Sequence, residues 1–345
     1  MKAVRLHSYH QPPRLQEVPE PQARGPHDVV VRVGGAGLCR TDLHIRDGWF
    51  APAVPTELPI TLGHENSGWV HEIGSAVENV AVGDAVICHP QQSCGVCPAC
   101  RIGDDMRCAR GLRFTGLTRD GGFAELFATT DRAVLPLPEG LRPADVAPHA
   151  DAGLTVMHVV RKAVPLLGPG TRVVVVGIGG LGHIGVQCLR ALTAAEVIAV
   201  DRDPDALKLA TGVGAHHVVP ADAHQVERVR ALTGGDGAQV VIDFVARGTP
   251  WPPPSAWCAP AARTSWWVTA ASCGFPPSPW CCRRSASSAT PWVRTTTCAS
   301  SWPSRRPARC RCTRAATRST PSPTRWPTSS RAASTAGAYS CPDGR

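Results

Sequence analysis

Nowhere in its 345 residues does the chain hold an apolar run near the roughly 18 residues that a membrane span needs, which argues against a transmembrane helix. The opening MKAVRLHSYH also lacks the apolar stretch of an export signal. The expectation is therefore a cytoplasmic protein, in which cysteines serve as metal ligands more readily than as disulfides. At roughly 100–200 residues per domain, the length predicts about two domains and excludes a small stapled scaffold.

A second deficiency is confined to the end of the chain. Residues 246–345 contain no Leu, Ile, Lys, Glu, Asn, Gln, His or Met, yet hold 8 of the 10 Trp, 8 of the 15 Cys and 15 of the 33 Pro. The same stretch has 14 Arg against one acid, Asp343, so it carries +13 while the first 245 residues carry −4. A basic arm for nucleic acid would be Lys- or Gly-rich or patterned, whereas here Trp and Cys are scattered without any period. No nucleic-acid partner is expected.

This alphabet points instead to a shifted reading frame in a G+C-rich gene. Joining the third base of each codon to the first two of the next lets ARGT at 246–249 become GEGD, WWVTAASC at 266–273 become VVGYGGKL, and AASTAGAYSCP at 332–342 become GRLHGRGILVP. The shift is placed at about Val245/Ala246. The tail as written is expected to be disordered, and the literal chain unstable or inactive, because it would leave apolar strands of a half-built sheet uncovered.

The first 245 residues read conventionally. Residues 1–152 alternate short apolar runs (DVVVRVGGAG, SGWVHEIG, GDAVICHP, GGFAELFATT) with Gly, Pro and Asp turns, which predicts a barrel-like β domain. Residues 153–245 alternate helical and buried-strand patterns (TVMHVVRKAV, TRVVVVGIGG, EVIAVDRD, AQVVIDFV), which predicts βαβ units and a parallel sheet. The fold class is thus α/β plus β, followed by the aberrant segment 246–345.

Three constellations carry chemistry. Cys94, Cys97, Cys100 and Cys108 stand at C-x2-C-x2-C-x7-C, a spacing that suits a closed tetrahedral zinc site, hence a structural one. Gly177, Gly179 and Gly182, with Gly180 between, form G-x-G-x-x-G between an apolar strand and a helix, where backbone N–H groups can cradle a pyrophosphate. Asp201 ends the next strand, placed to accept from the ribose hydroxyls and to disfavour a 2′-phosphate, which favours NAD over NADP. The third group is dispersed: Cys39, Thr41 and His44 in GLCRTDLH, His64 and Glu65 in LGHE, and Asp151 in HADAGLT. Singly, each has an ordinary explanation: a buried small residue for Cys39, a turn histidine for His64, and a helix cap for Asp151.

Taken together, these elements resemble the zinc-dependent medium-chain dehydrogenases of the bacterial NAD-dependent alcohol dehydrogenase type, over about residues 1–245. The resemblance implies a GroES-like catalytic barrel carrying two zincs, one catalytic and one structural, and a Rossmann domain that binds NAD. It implies that Cys39, His64 and Asp151 ligate the catalytic Zn2+, with Asp151 where many members have Cys, and that Glu65 is a neighbouring or transient ligand. It further implies a proton path from Thr41 through the cofactor ribose to His44, a pocket lined by residues such as Trp49, Phe50 and Trp69, a small alcohol or carbonyl substrate, and a homodimer or homotetramer. The alternative is a catalytically dead zinc-binding remnant.

The frame reading is directly testable. Resequencing the gene across codons 240–250 is expected to reveal a missing or extra base, and the intact mass of the expressed protein to match the corrected frame. A confirmed sequence with the literal mass would refute it.

Overall fold

Valine alternation broken by glycine turns produces two antiparallel sheets in the first part of the chain. In a computed structural model, which describes residues 1–54, 56–245 and the main chain of 266–269, β1 (Lys2–Leu6) lies between β2 (Arg14–Glu17) and β4 (Ile60–Thr61). The second sheet uses β3 (Asp28–Gly37), β5 (Glu65–Ile73), β6 (Ala85–Cys88), β7 (Leu126–Thr130) and β8 (Val134–Pro136) in the order β7-β3-β5-β6-β8. Two register irregularities in the β3–β5 pair, at Val30/Val31 and Val33/Gly35, bend and coil this sheet. They let it close over a core of Val29, Val31, Val70, Val86, Phe127 and Val134. Three short helices decorate this half: α1 (Arg40–Arg46), α2 (Pro98–Arg101) and α3 (Pro143–Val146).

From Ala152 the pattern becomes helix and strand in alternation. Helix α4 (Ala152–Ala163) is followed by β9 (Arg172–Val176), α5 (Gly182–Leu192), β10 (Glu196–Asp201), α6 (Pro204–Gly212), β11 (His217–Pro220), α7 (Gln225–Leu232) and β12 (Val240–Asp243). All pairs in this sheet are parallel, and its central strands are buried on both faces, as their unbroken valine runs require. One face packs under α4, α5 and α6 through Val156, Val160, Val186, Leu189 and Ala210; the other is covered by α7 through Val229. This is the doubly wound arrangement that the βαβ pattern predicts.

The sheet corrects one expectation. It does not end at 245: β13 (Trp266–Thr269) pairs parallel with β12, Val240 opposite Trp266 through Asp243 opposite Thr269, giving the order β11-β10-β9-β12-β13 among the described residues. The segment read as VVGY in the shifted frame thus stands in the sheet as written. The rest of 246–345, on which the readings of disorder and a shifted frame bear, lies outside the described residues. Among those described, no helix is long and apolar enough to cross a membrane.

The strand order reverses between β10-β9 and β12, so a crevice opens at the carboxyl ends of β9 and β12. There Gly177 turns the chain with φ +85°, and a side chain on it would strike Val245. Gly182 begins α5 so close to the turn that a Cβ would lie within van der Waals radii of the Gly177 carbonyl oxygen. Above Gly179 and Gly180 there is open space. The first and third glycines serve close packing, and the middle pair leaves the backbone accessible.

Substituting these glycines should separate the two roles. Gly182→Ala is expected to lower the unfolding free energy by about 1–3 kcal/mol, because a backbone carbonyl cannot step aside cheaply. Gly179→Ala, facing open space, should leave the urea midpoint near wild type; equal losses for both would refute the distinction.

Candidate active site and metal centres

The dispersed residues of the first half converge because three element ends meet. Cys39 is the N-cap of α1: its Sγ accepts from the Thr41 N–H at 3.5 Å, and Asp42 Oδ2 reciprocally accepts the Cys39 N–H at 3.0 Å, completing a capping box. His64 precedes β5 and Glu65 begins it, while Asp151 sits at the N-cap of α4. One ligand atom from each of Cys39, His64, Glu65 and Asp151 falls within 4.8 Å of the others.

None of the ordinary explanations for these residues holds. The Asp151 side chain makes no capping bond to α4. It turns to Cys39 Sγ at 3.7 Å and to His64 Nε2 at 3.4 Å. His64 is 1 % exposed, with Nδ1 held by Asp42 Oδ1 at 3.2 Å. Its Nε2 has no hydrogen-bond partner among the described residues, since the Asp151 oxygen lies at ion-pair rather than bonding geometry. A buried imidazole nitrogen without a bond, aimed at a thiol and two carboxylates, is a donor set for a metal ion.

The electrostatics of this group agree. Burial disfavours a charged His64, but Asp151, Asp42 and Cys39 outweigh it and hold its pKa well above the usual range. Glu65, pushed up by burial and by the Asp151 charge, reaches about 7. It also accepts the Ala152 N–H at 3.3 Å, and Gly37 leaves the room its carboxylate occupies. Too much negative charge is gathered here for comfort, and a divalent cation would relieve it.

Asp42 is the functional residue that sequence reading passes over. It is 2 % exposed and binds three groups: the Cys39 N–H, the Gly63 N–H at 3.3 Å and His64 Nδ1. Orienting a ligand histidine through its second nitrogen is a role for a carboxylate. The C-x-x-D spacing at 39–42, a capping box with cysteine as the cap, is the signal that could have found it.

The remaining residues of this group divide. Thr41 is placed beside Cys39 by the cap. His44, one turn along α1, stands outside the ligand cluster, its ring stacked on Trp49 at 4.2 Å and edge-on to Phe50 at 6.3 Å. Trp69 is engaged differently, under Arg32 at 4.5 Å and against Gly34.

The four cysteines form a second cluster, with Sγ atoms all within 4.8 Å. Backbone N–H groups point at the sulfurs: Cys94 N to Cys108, Cys97 N to Cys94 and Ala109 N to Cys97, each at 3.4 Å. The Ala109 and Cys100 N–H groups draw the Cys97 thiol down to about 6, while burial pushes Cys100 up to about 12. All four are free thiols, and N–H donors aimed at sulfur favour thiolates, so this set fits zinc.

In the crevice of the parallel sheet, Asp201 ends β10 as expected. Its Oδ2 accepts the Ile178 N–H of the glycine turn at 2.6 Å, and its Oδ1 the Asp203 N–H at 2.9 Å. Each carboxylate oxygen keeps a lone pair for a ribose hydroxyl.

Comparison with known proteins agrees with this geometry. Residues 25–139 match the Alcohol dehydrogenase GroES-like domain family, and residues 180–265 the Zinc-binding dehydrogenase family. The NAD-dependent alcohol dehydrogenase of Sulfurisphaera tokodaii is 35% identical over 251 residues, covering 71% of each chain. The D-arabinose 1-dehydrogenase (NADP(+)) of Saccharolobus solfataricus is 35% identical over 248 residues, 71% of this chain and 69% of that one. The crystal structure of the alcohol dehydrogenase from Aeropyrum pernix is 47% identical, with a TM-score of 0.68 over 71% of this chain and 72% of that one. With a GroES-like barrel, a doubly wound nucleotide sheet and two thiol-bearing donor sets in one chain, the protein belongs to the zinc-dependent medium-chain dehydrogenases, in the alcohol dehydrogenase branch.

Proposed function

We propose that this chain interconverts an alcohol and its aldehyde or ketone, with hydride transfer to or from NAD. The observation that carries the reading is the unbonded Nε2 of buried His64, turned toward Cys39 and Asp151. Cys39, His64 and Asp151 would hold a catalytic zinc, leaving a position open, with Glu65 beside them. When bound there, the ion supplies Lewis-acid polarisation of the substrate oxygen.

The protein's own residues do the remainder. Asp42 fixes the His64 ring so that Nε2 faces the donor set. The turn of Gly177, Gly179, Gly180 and Gly182 offers backbone donors to the pyrophosphate at the start of α5, and Asp201 takes the adenosine ribose. Thr41, set beside Cys39 by the α1 cap, is the first acceptor of the alcohol proton, and His44, one turn on, delivers it toward solvent through the cofactor ribose. Cys94, Cys97, Cys100 and Cys108 would hold a structural zinc. A small alcohol or carbonyl compound as substrate, a cytoplasmic setting and a homodimer or homotetramer complete the proposal.

Metal content measured beside NADH formation tests the reading. Two zincs per chain and alcohol-dependent NADH formation are expected, whereas zinc only in the cysteine lobe without turnover would leave a non-catalytic remnant. Replacing Asp151 by Ala should abolish turnover and remove one zinc while leaving the lobe's. In Asp42→Asn, zinc affinity at the Cys39–His64 site should fall by about 10–100-fold; unchanged zinc retention would refute the orienting role.

Cofactor choice provides a separate measurement. Asp201→Ala should reduce the ratio of kcat/KM with NAD to that with NADP by at least about tenfold, since the repelled 2′-phosphate loses its opposing charge. An unchanged ratio would remove Asp201 from cofactor selection.

A further inference from the structure

We propose that Arg132 is the positioning residue of the four-cysteine lobe, a forked clamp that holds the two arms of the loop at metal-binding spacing. The inference rests on the reading that this lobe holds zinc.

The lobe is a long excursion between β6 and β7, and it has little to stiffen it. Its regular structure is the four-residue α2 and a single turn at Asp105–Arg107. Its larger apolar side chains face outward, with Val96 59% and Ile102 82% exposed, so no hydrophobic core of its own sets the distance between Cys94 and Cys108. Something outside the loop must bring its arms together before a metal can close it.

Arg132 stands in the corner between β7 and β8, on the barrel rather than on the lobe. Its Nε donates to Ser93 Oγ at 2.9 Å, and its Nη2 to Asp105 Oδ1 at 2.8 Å and to the Cys100 carbonyl at 3.4 Å. Ser93 Oγ in turn donates to Asp105 Oδ1 at 2.6 Å, closing the circuit. The three points held are the residue before Cys94, the carbonyl of Cys100 itself and the residue three before Cys108. The stem of the side chain runs past Gly95, where a Cβ would come within 3.1 Å of it.

The corner is itself anchored. Asp131 accepts the Arg132 N–H at 2.6 Å and pairs with His27 Nδ1 at 2.7 Å, and Asn79 donates to the Asp131 carbonyl at 2.9 Å. Burial opposes a charge on Asp105, yet Ser93 and Arg132 hold its carboxyl below the usual range, so the clamp is ionised on both sides. Two nitrogens of one rigid fork reach opposite arms at once, which a lysine, with a single ammonium, cannot reproduce.

The test uses the full chain as wild type, Arg132→Gln and Arg132→Lys. Each is loaded with Co2+ to read the thiolate-to-cobalt band of the lobe, and with Zn2+ to follow release into a chromogenic chelator. Both variants are expected to lose lobe metal about 10–100 times faster than wild type, with release from the Cys39–His64 site unchanged. The rise in Tm on adding zinc should shrink in both, while metal-free Tm values coincide. Wild-type release from Arg132→Gln, or full recovery in Arg132→Lys, would overturn the clamp. So would an equal drop in Tm with and without metal, which would make Arg132 a brace for the barrel. A wild-type protein without the cobalt-thiolate band would instead remove the lobe-zinc reading, and this inference with it.

Discussion

A thiol, an imidazole and two carboxylates cannot share a few ångströms of dry space without a cation among them. That constraint governs the first half of the molecule. The start of α1, the start of β5 and the start of α4 are separated by long stretches of chain, yet each delivers a ligand atom to within 4.8 Å of the others. The barrel sheet, bent by its irregular β3–β5 pairing, is the frame that lets these three beginnings meet.

The arrangement also shows how a metal site recruits devices that elsewhere stabilise helices. Cys39 and Asp42 form a capping box, yet the same Asp42 reaches the far nitrogen of His64. Asp151 occupies a cap position and forgoes its capping bond in favour of Cys39 and His64. Helix stability and ligand geometry thus compete for the same side chains, and at Asp151 the ligand geometry prevails. An unused cap costs on the order of 1 kcal/mol, small beside the binding free energy a zinc ion can return to the fold.

Much of this was legible in the sequence, for physical reasons that differ by element. The four cysteines were readable because a closed thiolate site is built from short, local spacings. The glycine turn was readable because Gly177 and Gly182 occupy positions that exclude a side chain. The dispersed ligands were not legible one by one, since nothing local separates a ligand His64 from a turn histidine; only their joint resemblance to a family assembled them. Asp42 escaped because its partner lies 22 residues away, a separation that carries no pattern. Trp69 was misplaced because an aromatic in a strand does not announce which neighbour will cover it, here Arg32. The boundary at 245 was drawn from composition, whereas β13 follows the register of β12 despite its unusual residues.

The bond from Ile178 to Asp201 gives cofactor preference an architectural cost. The carboxylate that faces the ribose is also the peg on which the glycine turn hangs, through an N–H at 2.6 Å. A lineage that exchanged Asp201 for a small residue, to admit a phosphate, would release that N–H and slacken the turn beneath the pyrophosphate. Changing the preferred dinucleotide in this scaffold is therefore a two-residue problem: one substitution to open the pocket, and another to supply a new acceptor for Ile178.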